Sequence, residues 1–494
     1  MSVALPFRRA ASDEGAKPPL TGLGVAAIAI ALFALAAFSP AVFGDGDTFS
    51  HLATGEWIIA HGGAPRADPF SHSLPGAPWV AHEWLSEALM TLTFRFGGWT
   101  GVALMTGAAA ASAALIVGLT VARDLRGAPL VATVGVGVGL MTASLLARPH
   151  VLALPLAAAW SAGLVAARAR GRAPPLALAA SMTLWANMHG GFIFGLILIG
   201  PFALEALAEA PAGARLETAR AWTLFGLAAL VAALINPYGV EAVILPFRLI
   251  GIDSLSRISE WQPQDFSHPG TMELALLALI GLALTRPFAM APIRAALVIA
   301  LIAMALQHSR HQSLLGILAP MLLAGPIAAA VGGRATVDEW KRMATTAIAA
   351  AVAGALMIAA ARLLAPIERV DSSSAPISAL KAVPEDLRAK PVLNDYGFGG
   401  YLIFAHVRPF IDGRAELYGE PMLSLYGKLQ AGDAAAIEST LERYAIAWTI
   451  FPPDARIVAI LDRAPGWRRL YADSFAVVQA RDNGPPEAAG LRGD

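Results

Sequence analysis

The 494-residue sequence predicts a mainly α-helical, polytopic membrane bundle of about eleven spans with a C-terminal α/β domain outside the membrane. Three observations carry this. The chain is 56% hydrophobic and only 15% charged, where soluble domains are about a quarter charged. Apolar runs near the ~20 residues that cross a bilayer recur as far as Leu364. Beyond Leu364 the charge density becomes ordinary, and short alternating stretches mix with helical ones. The 36 Lys and Arg balance 36 Asp and Glu, which excludes a basic nucleic-acid binder and an acidic tail protein. The chain has no cysteine, which excludes disulfides, thiolate metal sites and a cysteine nucleophile.

Residues 1–20 read as a cytoplasmic leader. The first span, Thr21–Phe43, is too long for a cleaved signal peptide, and no small-residue cleavage site follows it. Ten further apolar runs follow: Trp99–Ala122, Leu130–Ala147, Val151–Ala167, Ala173–Trp185, Phe192–Ala208, Ala221–Leu234, Met272–Leu284, Ala291–Leu306, Leu314–Val331 and Thr345–Leu364. Together, residues 21–364 form a transmembrane domain, with 44–98 as a long first outer loop and Pro237–Thr271 as a second. Within the first loop, HEWLSEALMTLTFRFGG has helical apolar spacing suited to the membrane interface. Residues 365–494 form a periplasmic α/β domain. There PVLNDYGFGGYLIF, RPFIDG, YAIAWTIF and FAVVQA predict strands, and DAAAIESTLERY predicts a helix.

Loop charge orients this layout. With eleven crossings, one set of loops holds fifteen Lys and Arg and the other holds six. The positive-inside rule then puts the N-terminus in the cytoplasm and everything after Leu364 outside. All ten histidines fall on the outer side. So do the polar clusters GDGDTFSH, RPH, WANMHGG, NPYG, SEWQPQD and QHSRHQ, so any chemistry faces outward.

Asp45 and Asp47 stand just beyond the first span. Two carboxylates at i and i+2 can supply a general base or hold a divalent cation. The competing reading has Asp47 capping a short helix while Asp45 is solvated. His51 and Glu56 follow on that helix. Further along the loop, Asp68, His72, Trp79, His82, Glu83 and Trp84 set aromatics beside carboxylates. That mixture suits a sugar or, equally, an interfacial tryptophan belt. Arg148 and His150, Asn187 and His189, and Arg310 and His311 end three spans on the outer side. Each pair either snorkels to the interface or faces a wet cavity, where converging cations can hold a phosphate. Asp395, Asp412 and Arg414 read as turn and surface residues. There is no Walker motif, GxSxG or HExxH.

Several phrases run through nearly the whole chain: DGDTFSHLATGEWI, DPFSHSLPGAPWVAHEWLSE, WANMHGGFIFG, INPYG, EWQPQDF, NDYGFGGYLI and FIDGRAELYG. In these the chain resembles a widespread group of bacterial multi-pass membrane proteins. The acidic pair after the first span, the long first outer loop, about eleven spans and an external C-terminal domain resemble the GT-C class of membrane glycosyltransferases. That resemblance implies transfer of a sugar from a polyprenyl-phosphate-linked donor to a glycan, lipid or protein acceptor at the outer face. It implies that Asp45 or Asp47 is the base, with Arg148, His150, Arg310 and His311 at the donor phosphate by position; the outer-side residues His51, Glu56, His82, Glu83 and His189 are the further candidates for substrate contact. Glycine flanks the acidic pair here, where many members have adjacent acids or bulkier neighbours. Two other readings compete: a polysaccharide polymerase or ligase of another membrane fold, and a non-catalytic assembly or scaffold protein.

Overall fold

The computed structural model describes residues 18–332 and 336–482. Of the expected leader only Pro18–Leu20 are described, and they already begin the first helix. Thirteen helices precede Leu364: α1 (Pro18–Phe38), α2 (Asp47–His61), α3 (Trp84–Val121), α4 (Gly127–Thr142), α5 (Pro149–Ala169), α6 (Leu176–Met188), α7 (Phe192–Glu209), α8 (Arg215–Ala233), α9 (Val240–Ile250), α10 (Thr271–Thr285), α11 (Pro292–Gln307), α12 (Gln312–Val331) and α13 (Val337–Leu364). Every apolar run of the sequence lies largely within one of them.

Among the described residues, seven helices are long and apolar enough to cross a membrane: α1, α3, α5, α7, α8, α12 and α13. The chain is a multi-pass membrane protein. The helices α4, α6, α10 and α11 are apolar but only 16, 13, 15 and 16 residues long. At 1.5 Å per residue they reach about 20–24 Å, short of the ~30 Å hydrocarbon core. The run matching α4 is longer in the sequence because the chain leaves the helix before the apolar residues end, at Leu145–Ala147. Helix α3 breaks at Gly98 (φ 56°, ψ −153°), which separates the interfacial segment from the second apolar run.

The bundle closes around α1, which packs on α13 and α3, while α12 packs on α4. Without a hydrophobic drive between helices in lipid, close backbone approach has to supply contact. The α4–α12 crossing does so through two glycines: a Cβ on Gly316 would stand 2.3 Å from the Gly137 carbonyl oxygen.

After Leu364 come α14 (Ile377–Ala382), α15 (Glu385–Arg388), β1 (Val392–Asn394), α16 (Tyr396–Phe404), α17 (Ala415–Gln430), α18 (Ala434–Arg443), β2 (Trp448–Phe451), α19 (Arg456–Leu461), β3 (Trp467–Ala472) and β4 (Val477–Arg481). The sheet order is β1-β2-β4-β3, with β1 and β2 parallel and the other pairs antiparallel. One expected strand is cut short and another is absent: of PVLNDYGFGGYLIF only Val392–Asn394 forms a strand, β1. GFGGYLIF is helix α16: the Asp395 carboxylate accepts from the Gly397 N–H at 2.8 Å, and buried Phe398, Leu402 and Ile403 follow helical spacing. RPFIDG is irregular because the Asn394 side chain takes the strand's partner role. It accepts from the Phe410 N–H and donates to the Ile411 carbonyl, both at 2.8 Å. The unexpected β3 is an edge strand with partly exposed residues, so its alternation is weak.

Asp412 and Arg414 are not surface turn residues; they are 0% and 6% exposed. Arg414 donates from Nε and Nη2 to Asp412 and from Nη1 to Asp68, each at 2.7 Å, and the Tyr418 hydroxyl completes Asp412 at 2.7 Å. A buried charge in apolar surroundings has to be paired in this way. The Asp68–Arg414 bond fastens the first loop to the C-terminal unit, as do Ser73 Oγ on the Phe410 carbonyl and Arg408 on the Ser71 carbonyl.

Gly316→Ala is expected to lower the melting temperature of the purified protein, consistent with an overpacking cost of about 1–3 kcal/mol. Gly325→Ala lies on the same helix, where a Cβ meets nothing within 4 Å, and serves as the control with no loss. Equal melting of the two variants would remove the crossing from the account.

Candidate functional site

One cavity of about 1080 Å³ lies where the N-termini of α2 and α5, the α6–α7 and α11–α12 connections, the loop before α10 and the C-terminal unit meet. Its local architecture follows from a few sequence features. Pro149 restricts Arg148 to extended backbone (φ −135°, ψ 159°) at the N-cap of α5. Thr48 Oγ1 donates to the Ala147 carbonyl at 3.1 Å, and the Ala147 N–H donates to the Val42 carbonyl at 2.8 Å. These bonds lay the Arg148 side chain over the start of α2.

Three carboxylates converge on that guanidinium. Arg148 Nη1 lies 2.8 Å from Asp45 Oδ2 and 3.1 Å from Glu260 Oε2, and Nη2 lies 3.0 Å from Asp47 Oδ2. The helix cap differs from both sequence readings. Gly46 is the N-cap residue of α2, and Asp45 Oδ1 accepts from the Asp47 N–H at 2.7 Å. Asp45 therefore holds the turn, while Asp47, the first helical residue, has its carboxylate free for Arg148. The C-terminal unit closes over it: a Cβ on Gly413 would run into Asp47 Oδ1, so a larger residue there would push the carboxylate aside.

Burial, then the neighbouring Asp45, push the Asp47 carboxyl well above its usual value, against the pull of Arg148. Glu260 goes the other way, to about 2, chiefly through Arg148. Burial works against the Arg148 charge, but the carboxylates outweigh it and hold the guanidinium firmly protonated. Glu260 also reaches Arg310, whose Nη1 is 3.5 Å from Oε1 and whose guanidinium stacks over Trp261 at 4.4 Å. A carboxylate thus bridges two arginines.

Most of the sequence-designated residues line this cavity: Asp45, Asp47, His51, His82, Glu83, Arg148, His150, His189, Arg310 and His311. His51 Nδ1 sits 3.0 Å from Glu87, and His150 Nε2 bonds the Ser144 carbonyl at 2.7 Å. Burial lowers the His51 and His189 pKa values, keeping both imidazoles neutral, and raises that of Glu83. Glu56 is the exception. It forms a two-pronged pair with Arg95 on the exposed side of α2, away from the cavity. Asn187 is structural as well: it accepts from the Trp84 indole at 2.7 Å and donates to the Ile235 carbonyl. Trp79 is 4% exposed, donates to Glu416 at 2.9 Å and carries Arg414 on its ring face at 4.7 Å. Its face is therefore taken by a cation rather than open to a sugar.

Sequence reasoning missed Glu260, Glu87 and Glu416. All three lie inside phrases it had singled out, but their partners are distant in the chain and no local spacing marks them. A divalent cation on Asp45 and Asp47 does not fit this arrangement, because the Arg148 guanidinium fills the position between them that a shared ion would take. Among the described residues, no group of three His, Asp or Glu has metal-holding spacing. The same cavity is also lined by apolar Leu154 and Ala157 of α5, Ile193 and Ile197 of α7 and Leu314 and Ile317 of α12. Ile197 is 53% exposed on the outer side of the bundle.

No family model and no curated protein sequence matches the chain. Solved structures do. The archaeal oligosaccharyltransferase AglB from Archaeoglobus fulgidus, in complex with an inhibitory peptide and a dolichol-phosphate, aligns with a TM-score of 0.55 at 11% identity, over 87% of this chain and 69% of that one. ArnT from Cupriavidus metallidurans aligns in the apo state with a TM-score of 0.46, over 93% of this chain and 97% of that one. Bound to undecaprenyl phosphate it aligns with a TM-score of 0.48, over 94% and 98%; identity is 14% in both. At such identities the likeness to AglB is one of architecture, and the chain shares that protein's fold.

Proposed function

We propose that the chain is a glycosyltransferase that moves a sugar from a polyprenyl-phosphate carrier to an acceptor at the outer face of the bacterial inner membrane. The observation that carries this reading is the lining of the cavity. The cavity that holds Arg148 and Arg310 is lined as well by apolar side chains of α5, α7 and α12. That lining suits an anionic head on a long apolar tail. The fold shared with AglB, whose structure holds a dolichol-phosphate, supports it. The charge bias of the loops and the outer-side histidines support a cytoplasmic N-terminus and a periplasmic unit after Leu364. In this reading the four short apolar helices complete eleven crossings.

Glu260 marks the place of the donor phosphate. Its carboxylate bridges Arg148 and Arg310 as two phosphate oxygens would. The loop carrying it has to yield when the donor enters. In the transfer step the acceptor hydroxyl oxygen bonds to the anomeric carbon as the bond from that carbon to the phosphate oxygen breaks. The bonding pair leaves with the polyprenyl phosphate, where Arg148 and Arg310 stabilise the developing charge. Asp47 takes the hydroxyl proton. Asp45 keeps the turn closed and holds Arg148 in place.

With purified protein and a polyprenyl-phosphate-linked sugar, Asp47→Asn is expected to reduce turnover by about 10²–10⁴-fold without loss of melting temperature. Near-wild-type transfer would remove Asp47 as the base. The rate should fall as pH drops through the raised Asp47 pKa, because only the deprotonated carboxylate accepts a proton. Asp45→Asn removes a neighbouring negative charge that raises that pKa. It should move the acid limb of the pH–rate profile to lower pH, and a limb that stays put would assign it to another group.

A further inference from the structure

A second cluster of charge lies in the same cavity and takes no part in the step just described. Glu83 stands before α3, Glu87 one turn into it, and Glu416 is supplied by the C-terminal unit. Among the described residues, none of these carboxylates has a Lys or Arg within 4 Å; the ionisable groups that close to Glu83 and Glu87 are imidazoles. His189 and His51 do not supply the missing charge, and His82 reaches only Glu83, at 3.8 Å. His189 Nδ1 accepts the Gly191 N–H at 3.0 Å, so its Nε2–H faces Glu83 Oε1 at 3.4 Å as a neutral ring. His51 shares its Nδ1 with Glu87 at 3.0 Å and turns Nε2 toward Glu83 at 3.8 Å. Burial keeps both rings uncharged.

One of these carboxylates is incomplete. The Glu87 side chain is 5% exposed, and its Oε2 is buried with no hydrogen-bond partner, although Glu87 lines the cavity. His51 Nε2 is buried and unpartnered as well. A buried carboxylate with no cation beside it and one oxygen short of a hydrogen bond is costly, and a ligand entering the cavity can supply both at once. Glu416 is held in place for such a ligand by the Trp79 indole at 2.9 Å. The missing group has to donate hydrogen bonds and carry positive charge. An ammonium offers three donors and no acceptor. A neutral hydroxyl would complete the hydrogen bonds and leave the charge uncompensated, and an anionic group would be repelled.

We propose that Glu83, Glu87 and Glu416 form a subsite for a protonated amine carried by one of the two sugars that meet in this cavity. Only the naming of that ligand as a substrate rests on the transferase reading; the subsite itself rests on the unpaired carboxylates.

Equilibrium dialysis of the full chain in detergent against radiolabelled D-glucosamine and D-glucose tests it, at a pH where the amine is protonated. Glucosamine is expected to bind saturably and at least about tenfold more tightly than glucose, the scale of a hydrogen bond to a charged group. Glu87→Gln and Glu416→Gln, each checked by its melting curve, should erode that preference. Equal binding of the two sugars, or a preference that survives both substitutions, would overturn the subsite. Displacement of glucosamine by Mn²⁺ alone would overturn it too, in favour of a metal. Glucosamine 1-phosphate identifies the source of the amine. Tighter binding than glucosamine, with competition by undecaprenyl phosphate, places the amine on the donor sugar; no gain and no competition place it on the acceptor. Transfer is not needed for any of these readings. An amine preference in a chain that fails to bind undecaprenyl phosphate would retire the transferase reading and leave this one standing.

Discussion

The Arg148 guanidinium is the point on which the cavity is built. It sits at the start of α5 and binds carboxylates from two other segments: Asp45 and Asp47 from the start of α2, and Glu260 from the loop before α10. A partly buried cation with three acids around it is strongly paired and still leaves the group net negative. Burial, reinforced by that surplus, lifts Asp47 away from ordinary carboxylate behaviour, while Glu260, which reaches both arginines, stays ionised. One arrangement therefore supplies a carboxyl suited to accept a proton and an anion position between two arginines.

The C-terminal unit belongs to this site rather than standing apart from it. Its Gly413 covers Asp47, its Glu416 faces the cavity, and its Arg414 is clamped between its own Asp412 and Asp68 of the first outer loop. Asp412 and Arg414 position this wall through the bonds they make to each other and to Tyr418. The first loop and the C-terminal unit are thus two halves of one cover over the helical bundle.

Much of the bundle was legible in the sequence because membrane helices announce themselves by apolar length. All eleven apolar runs became helices, though four of these are too short to span by length alone. The outer polar clusters also pointed to the cavity, since a charged side chain at the end of a span needs water or a partner. Pairings between distant segments were not legible. Nothing local distinguishes Glu260, which bridges two arginines, from Glu56, which pairs with Arg95 on the surface. The Asp-x-Asp spacing suited a cap, a base and a metal site equally, and only the position of Arg148 separates them. In the C-terminal unit the errors share one cause. Side-chain hydrogen bonds from Asp395 and Asn394 overrode an apolar pattern that read as strand.

The central claim is that a lipid phosphate replaces the Glu260 carboxylate between Arg148 and Arg310. The affinity of the purified chain for undecaprenyl phosphate, with Glu260 intact and as Glu260→Gln, tests it most directly. Removing the competing negative charge should tighten binding by about tenfold, the scale of one charge-assisted hydrogen bond. Unchanged or weaker binding by a well-folded Glu260→Gln protein would contradict the account.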